Sequence, residues 1–372
     1  MNNPITLFTG QWADMTIEDI SAFAKSAGFD GLELACWGKH LEVQNALGSD
    51  GASYIEHILD AFDKNDIGVW SLGAHLVGQA LTDQYATDPD LLALLPAHIR
   101  AGNPEQVRQN AAKEMMDTAR VAEKIRDVAE KKYGERGKEM WNPTVVTGFT
   151  GSPLWHRAYA FAPYITDGDA VEHAFQEVVR RMHPVLDVFE KTGTKFALEV
   201  HPTEIAFDGV TALRLHKVIG RSSFGFNNDP SHLLYQGVDP VKYVKAIAEV
   251  GALHHSHIKD VTYGGGNGLA GVFGSHLAFG DEGRYWDFRS VGRGRVDTSA
   301  VIKTMISLGY TGPLSIEWED ANMKREAGAT ASQLVTRGLR DYNSAIAQKG
   351  YNMYKDPSNF QTGAFDNVFA QK

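Results

Sequence analysis

Four residues carry most of the chemistry legible in this chain. They are Glu199 in FALEVHP, Asp229 in FNNDPSH, His257 in HHSHIKD and Glu317 in LSIEWED. Each lies at the end of a strand-like run, and Glu199, Asp229 and Glu317 directly follow apolar or strand-like residues, where a buried charge needs a partner. Three carboxylates and one imidazole make a hard, mostly oxygen ligand set, suited to Mn²⁺, Mg²⁺ or Co²⁺ rather than to a metal selected by thiolates. Such a set would leave coordination positions open for a substrate with neighbouring oxygens. Any one of these acids alone reads more readily as a cap or a solvated loop residue; their joint occurrence at four successive strand ends gives the pattern its weight. His255 competes with His257, because alternation along a strand puts both on one face and His254 on the other.

Residues around these four fit the same picture. His201, two past Glu199, should point to the same side and hydrogen-bond substrate or a ligand, or else simply end the strand. Lys259 is placed to stabilise an enolate oxygen or an anionic group, with Asp260 holding Lys259 or His232; a surface ion pair is the plainer reading. Trp37, His75 and Trp155 fall at or just past earlier strand ends. Aromatic walls and histidines there would suit a polyol ring, although both tryptophans could equally close the top of a barrel.

The elements that must position these residues are short β-like runs alternating with longer helical patterns. Strands are expected at 5–9, 31–36, 68–74, 144–149, 195–200, 223–228, 252–258 and 313–318, several of them continuous apolar runs typical of parallel strands. Thr16 with Asp19, Asn103-Pro104 and Asp239-Pro240 mark helix starts, and Gly28, Gly193, Gly251 and Gly309 mark helix ends. About eight strand–helix units predict an α/β fold, a (β/α)8 TIM barrel with helical and loop insertions on its C-terminal face. The competing doubly wound sheet lacks its Gly-rich phosphate turn. The barrel should span 1–349, and the tail 350–372 should pack on it or on a neighbouring subunit. Residues 75–142, 150–168 and 259–296 exceed plain connections and should crowd the active face. Asp297, after the glycines of VGRGRVD, should cap a helix.

Composition narrows the function. The 372 residues are 43% hydrophobic and 22% charged, an ordinary globular balance. Lys and Arg total 36 against 46 Asp and Glu, and the net charge of −10 argues against a nucleic-acid partner. The single cysteine, Cys36, excludes an internal disulfide and a multi-cysteine zinc site. With no apolar span of membrane length and no signal-like start, a cytoplasmic protein without a membrane partner is expected.

The series LEVHP, NNDPSH, HIKD and SIEWED resembles the xylose-isomerase-like TIM barrel superfamily of sugar phosphate isomerases and epimerases, which also includes inosose dehydratases and endonuclease IV. The resemblance covers residues 5–349. It implies one divalent cation, Mn²⁺ first and Mg²⁺, Co²⁺ or Zn²⁺ as alternatives, held by Glu199, Asp229, His257 and Glu317, with the two glutamates as acid and base. It favours His257 over His255, because the family histidine precedes a short hydrophobic-Lys-Asp turn. His232 matches a histidine that contacts a substrate oxygen in the ketose epimerases. Two family positions depart: Tyr263 replaces an arginine six residues past the metal histidine, and Ile205 replaces a second glutamate, with Glu204 one step short. The implied activity is metal-dependent isomerisation or epimerisation of a small carbohydrate through an enediolate, with elimination from the same intermediate, as in a dehydratase or a 3-keto-glycoside lyase, as the alternative. A homo-oligomer is expected. An endonuclease IV-like phosphodiesterase would need further zinc ligands and a basic rim, and a silent partner subunit would have lost a ligand.

Overall fold

The computed structural model describes residues 3–83, 88–157, 168–342 and 344–363. Ten strands occur among them: β1 (Ile5–Phe8), β2 (Gly31–Ala35), β3 (Gly68–Gly73), β4 (Trp141–Gly148), β5 (Lys195–Glu199), β6 (Phe224–Asn228), β7 (Leu253–Ile258), β8 (Asp260–Tyr263), β9 (Trp286–Arg289) and β10 (Leu314–Ile316). Eight of them close a parallel barrel in the order β1-β10-β7-β6-β5-β4-β3-β2, and β1 pairs with β2 to complete the ring. The expected (β/α)8 architecture is therefore present. Strands β1, β2 and β6 are buried along their whole length, as a sheet covered on both faces by side chains and helices requires.

Local chemistry sets the element boundaries. The Thr16 hydroxyl accepts from the Asp19 amide, and the Asn103 side chain caps the helix Pro104–Tyr133 by accepting from Gln106. Asp239 caps Pro240–Glu249, and Asp297 caps Thr298–Ser307. Gly28 ends its helix at φ 85°, a left-handed conformation that costs glycine nothing.

Three connections differ from plain loops. Between β3 and β4 lie the short helices His75–Gln79, Pro89–Leu92 and Glu135–Met140 besides the long Pro104–Tyr133. Between β7 and β10, β8 and β9 form an antiparallel ribbon within the long 259–296 connection, with Tyr263 opposite Trp286. The missed signal is alternation: Trp286 and Phe288 share one face of a four-residue strand. Residues 158–167 of the aromatic stretch 150–168 lie outside the described residues. In the tail, the helix Ser344–Met353 packs on Arg325–Arg340, and the Tyr354 hydroxyl donates to the Val291 carbonyl at 2.6 Å. Phe365 and Phe369 lie outside the described residues. No described helix is long and apolar enough to cross a membrane.

Candidate metal centre and active-site cleft

Because β5, β6, β7 and β10 are neighbours in the ring, the four expected ligands meet at one rim. Glu199 is the last residue of β5, Asp229 follows β6, His257 is the penultimate residue of β7, and Glu317 follows β10. All four are buried, and one ligand atom from each lies within 4.8 Å of the others. The His257 Nδ1 stands 3.2 Å from both Glu199 Oε2 and Glu317 Oε2. Asp229 is also the N-cap of the short helix Pro230–Leu234, so its Oδ1 is fixed by the amide and hydroxyl of Ser231. Its Oδ2 faces the cluster beside Lys259 Nζ, 3.1 Å away.

These residues fit a divalent cation. His257 Nδ1 stands against the Glu199 and Glu317 carboxylates, and Asp229 Oδ2 and Glu317 Oε2 share the Lys259 ammonium, so three carboxylates crowd one imidazole and one lysine in a closed interior. So many buried carboxylates about so few positive groups are costly unless further positive charge completes them. The electrostatics agree. Burial alone would push the Glu317 carboxyl up, yet Lys259 and His257 hold it down to about 2. Glu199 is likewise held well below the usual carboxylate range against burial, by His257, His232 and His75. Burial disfavours charge on His257, but Glu33, Glu199 and Glu317 raise its pKa well above the imidazole norm. A site that stabilises an imidazolium so strongly is a site of strong negative potential, the field a cation would fill.

Beneath the cluster sits a residue that sequence reasoning missed. Glu33 on β2 has no exposed surface, and it accepts from His255 Nε2 at 2.8 Å and lies 3.2 Å from His257 Nε2 at both carboxylate oxygens. Thr147 on β4 also donates to it. A carboxylate can only accept, so it places the His257 proton on Nε2 and leaves Nδ1 as the ligand nitrogen, the usual support of a metal-bound histidine. Both histidines contact Glu33 through Nε2, but only His257 groups with Glu199, Asp229 and Glu317. The available signal was an acid in the middle of GLELA, a fully buried strand where a charge demands partners. Gln11 was also missed; its amide donates to Glu317 Oε1 at 3.0 Å. Asn227 serves twice, donating to Glu199 Oε2 at 3.3 Å and accepting from the His257 amide at 2.9 Å.

The surrounding expectations divide. His232 Nε2 lies 3.0 Å from Glu199 Oε1, at the wall of the cleft. His201 lines the same chamber with its ring 4.8 Å from that of His232, and burial lowers its pKa to about 3. His75 holds a ligand: its Nε2 is 3.1 Å from Glu199 Oε2. Lys259 is not a surface residue. It is buried, its Nζ lying 3.1 Å from Asp229, 2.7 Å from Glu317 and 2.8 Å from Glu319, over the Phe288 ring. Asp260 holds neither Lys259 nor His232; its carboxylate accepts from the amides of Val261, Gly292, Gly294 and Val296, clamping the VGRGRVD turn. A Cβ on Gly294 would lie 2.2 Å from Asp260 Oδ1, so the turn requires glycine there. Trp37 lines the cleft, whereas Trp155 packs edge-on against Phe207 and contributes to neither chamber below.

The cleft has two chambers. An inner one of about 160 Å³ is bounded by Glu199, Glu317, His201, His232 and Lys259, with Phe149, Phe279 and Phe288 as apolar walls. An outer one of about 650 Å³ shares Phe149, Glu317 and Glu319 with it and continues past Phe8, Trp37 and His75. Asp229 and His257 lie below both floors, while the two glutamates reach the surface a substrate would touch.

Comparison with known proteins agrees with this architecture. The family model described as xylose isomerase-like TIM barrel matches residues 21–339. An uncharacterised Bacillus subtilis protein, YfiH, is 33% identical over 144 residues, which is 37% of this chain and only 44% of that protein's length. Among solved structures, the probable 3-DHS dehydratase AsbF of Bacillus anthracis superposes with a TM-score of 0.59 at 16% identity, covering 90% of this chain and 98% of its own. The 3-keto-D-glucoside 4-epimerase YcjR of E. coli does so with a TM-score of 0.58 at 15% identity, covering 90% and 99%. At these identities the two likenesses concern the fold.

Proposed function

The chain belongs to the xylose isomerase-like TIM barrel family, and from that premise we propose that it is a divalent-metal-dependent enzyme that moves a proton next to the carbonyl of a keto-sugar or related polyol. The observation that carries the reading is the convergence of Glu199, Asp229, His257 and Glu317, buried, with one ligand atom of each within 4.8 Å of the others. When bound there, a divalent cation polarises a carbonyl and a neighbouring hydroxyl and makes the C–H between them more acidic. Mn²⁺ suits the oxygen-rich set best, and Mg²⁺, Co²⁺ or Zn²⁺ would also fit.

The chain's own residues do the rest. Glu199 and Glu317 are ionised at neutral pH, as a base must be, and both line the inner chamber. Either can take a proton from the substrate carbon and the other can face the carbon to which it returns. Return to the opposite face of the same carbon is epimerisation; return to the neighbouring carbon is aldose–ketose isomerisation. Lys259, kept protonated by Asp229, Glu317 and Glu319 against its burial, donates to a substrate oxygen, and His232 and His201 orient hydroxyls beside it. Phe149, Phe279 and Phe288 exclude water from the intermediate. Elimination from the same intermediate is the second reading, favoured by the outer chamber, which gives a leaving group room.

The deciding experiment incubates metal-loaded protein in deuterium oxide with keto-sugars, inososes and 3-keto-glycosides. The reading expects uptake of one deuterium at the carbon beside the carbonyl, dependent on metal. No exchange and no turnover with any member of the panel, in protein shown to hold one divalent ion per chain, would reject it.

A further inference from the structure

We propose that the outer chamber is a subsite for a second, neutral, hydroxylated ring, so that the natural substrate is an unphosphorylated glycoside rather than a free sugar or a sugar phosphate. The inference rests on the sugar-enzyme reading above and extends it to the part of the substrate that does not react.

Three features carry it. The first is connection: Glu317, Glu319 and Phe149 line both chambers, so a sugar reacting at Glu199 and Glu317 is open toward the outer one. At about 650 Å³ against about 160 Å³, the outer chamber is the larger by roughly four-fold and falls in the range of sites that enclose whole ligands. The second is charge. The outer walls carry Glu42, Glu114, Glu317 and Glu319, and no lysine or arginine is among the described lining residues. A phosphate would meet carboxylates there with no cation to pair it, and the one lysine of the inner chamber is already engaged by Asp229, Glu317 and Glu319. The field rejects anions and tolerates hydroxyls.

The third is polarity at the far end. Trp37 and Pro96 offer apolar faces for the C–H side of a ring. Beyond them Glu114, itself buried, accepts from Gln44 Nε2 at 2.6 Å and faces His98 Nε2 at 3.0 Å, all through its Oε2. Its Oε1 has no hydrogen-bond partner among the described residues. A carboxylate oxygen free in a cavity wall is an acceptor for a hydroxyl, and the Glu114–Gln44–His98 group comes from three separate elements: the helix Val43–Leu47, the turn after Pro89–Leu92 and the helix Pro104–Tyr133. The long insertion between β3 and β4 thereby gains a purpose, since it builds this end of the cleft.

The test is binding, which does not depend on turnover. Calorimetric titration of the metal-loaded protein would compare cellobiose and maltose with the methyl glucosides of matching anomeric form, and with glucose 6-phosphate. At least one disaccharide should bind about 10-fold more tightly than its methyl glucoside, and glucose 6-phosphate should bind no better than the latter. Glu114→Gln should reduce the disaccharide preference several-fold. Leu94→Trp, at a half-exposed position of the same wall, should reduce it by filling the chamber even if Glu114 also supports its neighbours. Equal or absent binding of both disaccharides, or tighter binding of the phosphate, would overturn the subsite. A retained preference with no deuterium exchange on any keto-sugar would instead overturn the reaction assigned to the inner chamber and leave the subsite standing.

Discussion

The late and early halves of the barrel rim are built on opposite plans. Strands β5, β6, β7 and β10 present charge: every proposed ligand comes from them, and each sits at or just past a strand end. Strands β1 to β4 bring no proposed ligand, and the acids of their connections, Glu42 and Glu114, line only the outer chamber. The same strands give Phe8, Trp37 and Phe149 as walls and His75 and Gln11 as supports, and they keep their one interior acid, Glu33, below the floor. The contrast teaches that a metal centre needs two kinds of residue. One kind must reach the cation, and the other must fix the atoms that reach it, and closure of the ring brings the second kind from the far side.

The largest effect should come from breaking the late half at its best-fixed ligand. Asp229→Asn keeps the Ser231 cap through the amide oxygen but removes the charge from the oxygen that faces the cluster. Metal analysis should find the cation lost or severely depleted, circular dichroism should find the barrel intact, and turnover should fall by about 10⁴-fold or more. Full metal occupancy with unchanged activity would sink the ligand set.

Next come the two glutamates. Glu199→Gln and Glu317→Gln each keep the size and one oxygen while removing the base, so turnover should fall by roughly 10²–10⁴-fold, with a smaller loss of metal than in Asp229→Asn. Exchange of the substrate α-hydrogen with solvent should disappear in both. If the wild type isomerises its substrate with complete retention of label, the hydrogen moves as a hydride and the glutamates are ligands without a proton-transfer role.

The early half answers through Glu33. Glu33→Gln should weaken metal affinity by about 10–100-fold, the usual worth of a residue that orients a ligating histidine, because one amide oxygen without charge must replace the two carboxylate oxygens that serve His255 and His257. Isothermal titration with Mn²⁺ measures this directly. An affinity equal to wild type would mean that the late half positions itself unaided.

What the sequence made legible follows the same division. Parallel strands buried on both faces read as apolar runs, so the ring and its eight strands could be placed from the chain alone. The ligands were readable because an acid just past an apolar run has nowhere to hide. Glu33, Gln11 and the true place of His75 were not, because their partners lie more than a hundred residues away and meet only when β1 pairs with both β2 and β10. The surface-pair reading of Lys259 and the partner expected for Asp260 failed for a related reason. Adjacent in sequence, they point to opposite sides of the strand junction, one into the cleft and the other into the glycine turn. The ribbon of β8 and β9 was hidden by its glycines.

The smallest effect tests the seam between the halves. Glu204, after β5, is fully buried and accepts from the amide and hydroxyl of Thr150 at 2.7 and 3.0 Å and from the Gly151 amide at 2.9 Å, tying the loop that follows β4 to the late half. Burial raises its pKa to about 8, with a further push from Asp83, although the three donors oppose it. In the unfolded chain the carboxyl ionises near 4.5. Between these values the folded state holds a proton that the unfolded state has released, so the contribution of this group is fully present below about pH 4.5 and is lost as pH rises through about 8. Glu204→Gln keeps an acceptor for Thr150 and Gly151 but cannot ionise. Its melting temperature should therefore fall less than that of the wild type between pH 5 and pH 8, the two curves diverging by about 2–4 °C. Parallel curves over that range, measured by differential scanning fluorimetry with the metal concentration fixed, would show that Glu204 is ionised throughout and that its hydrogen bonds, not its burial, decide the charge at the seam.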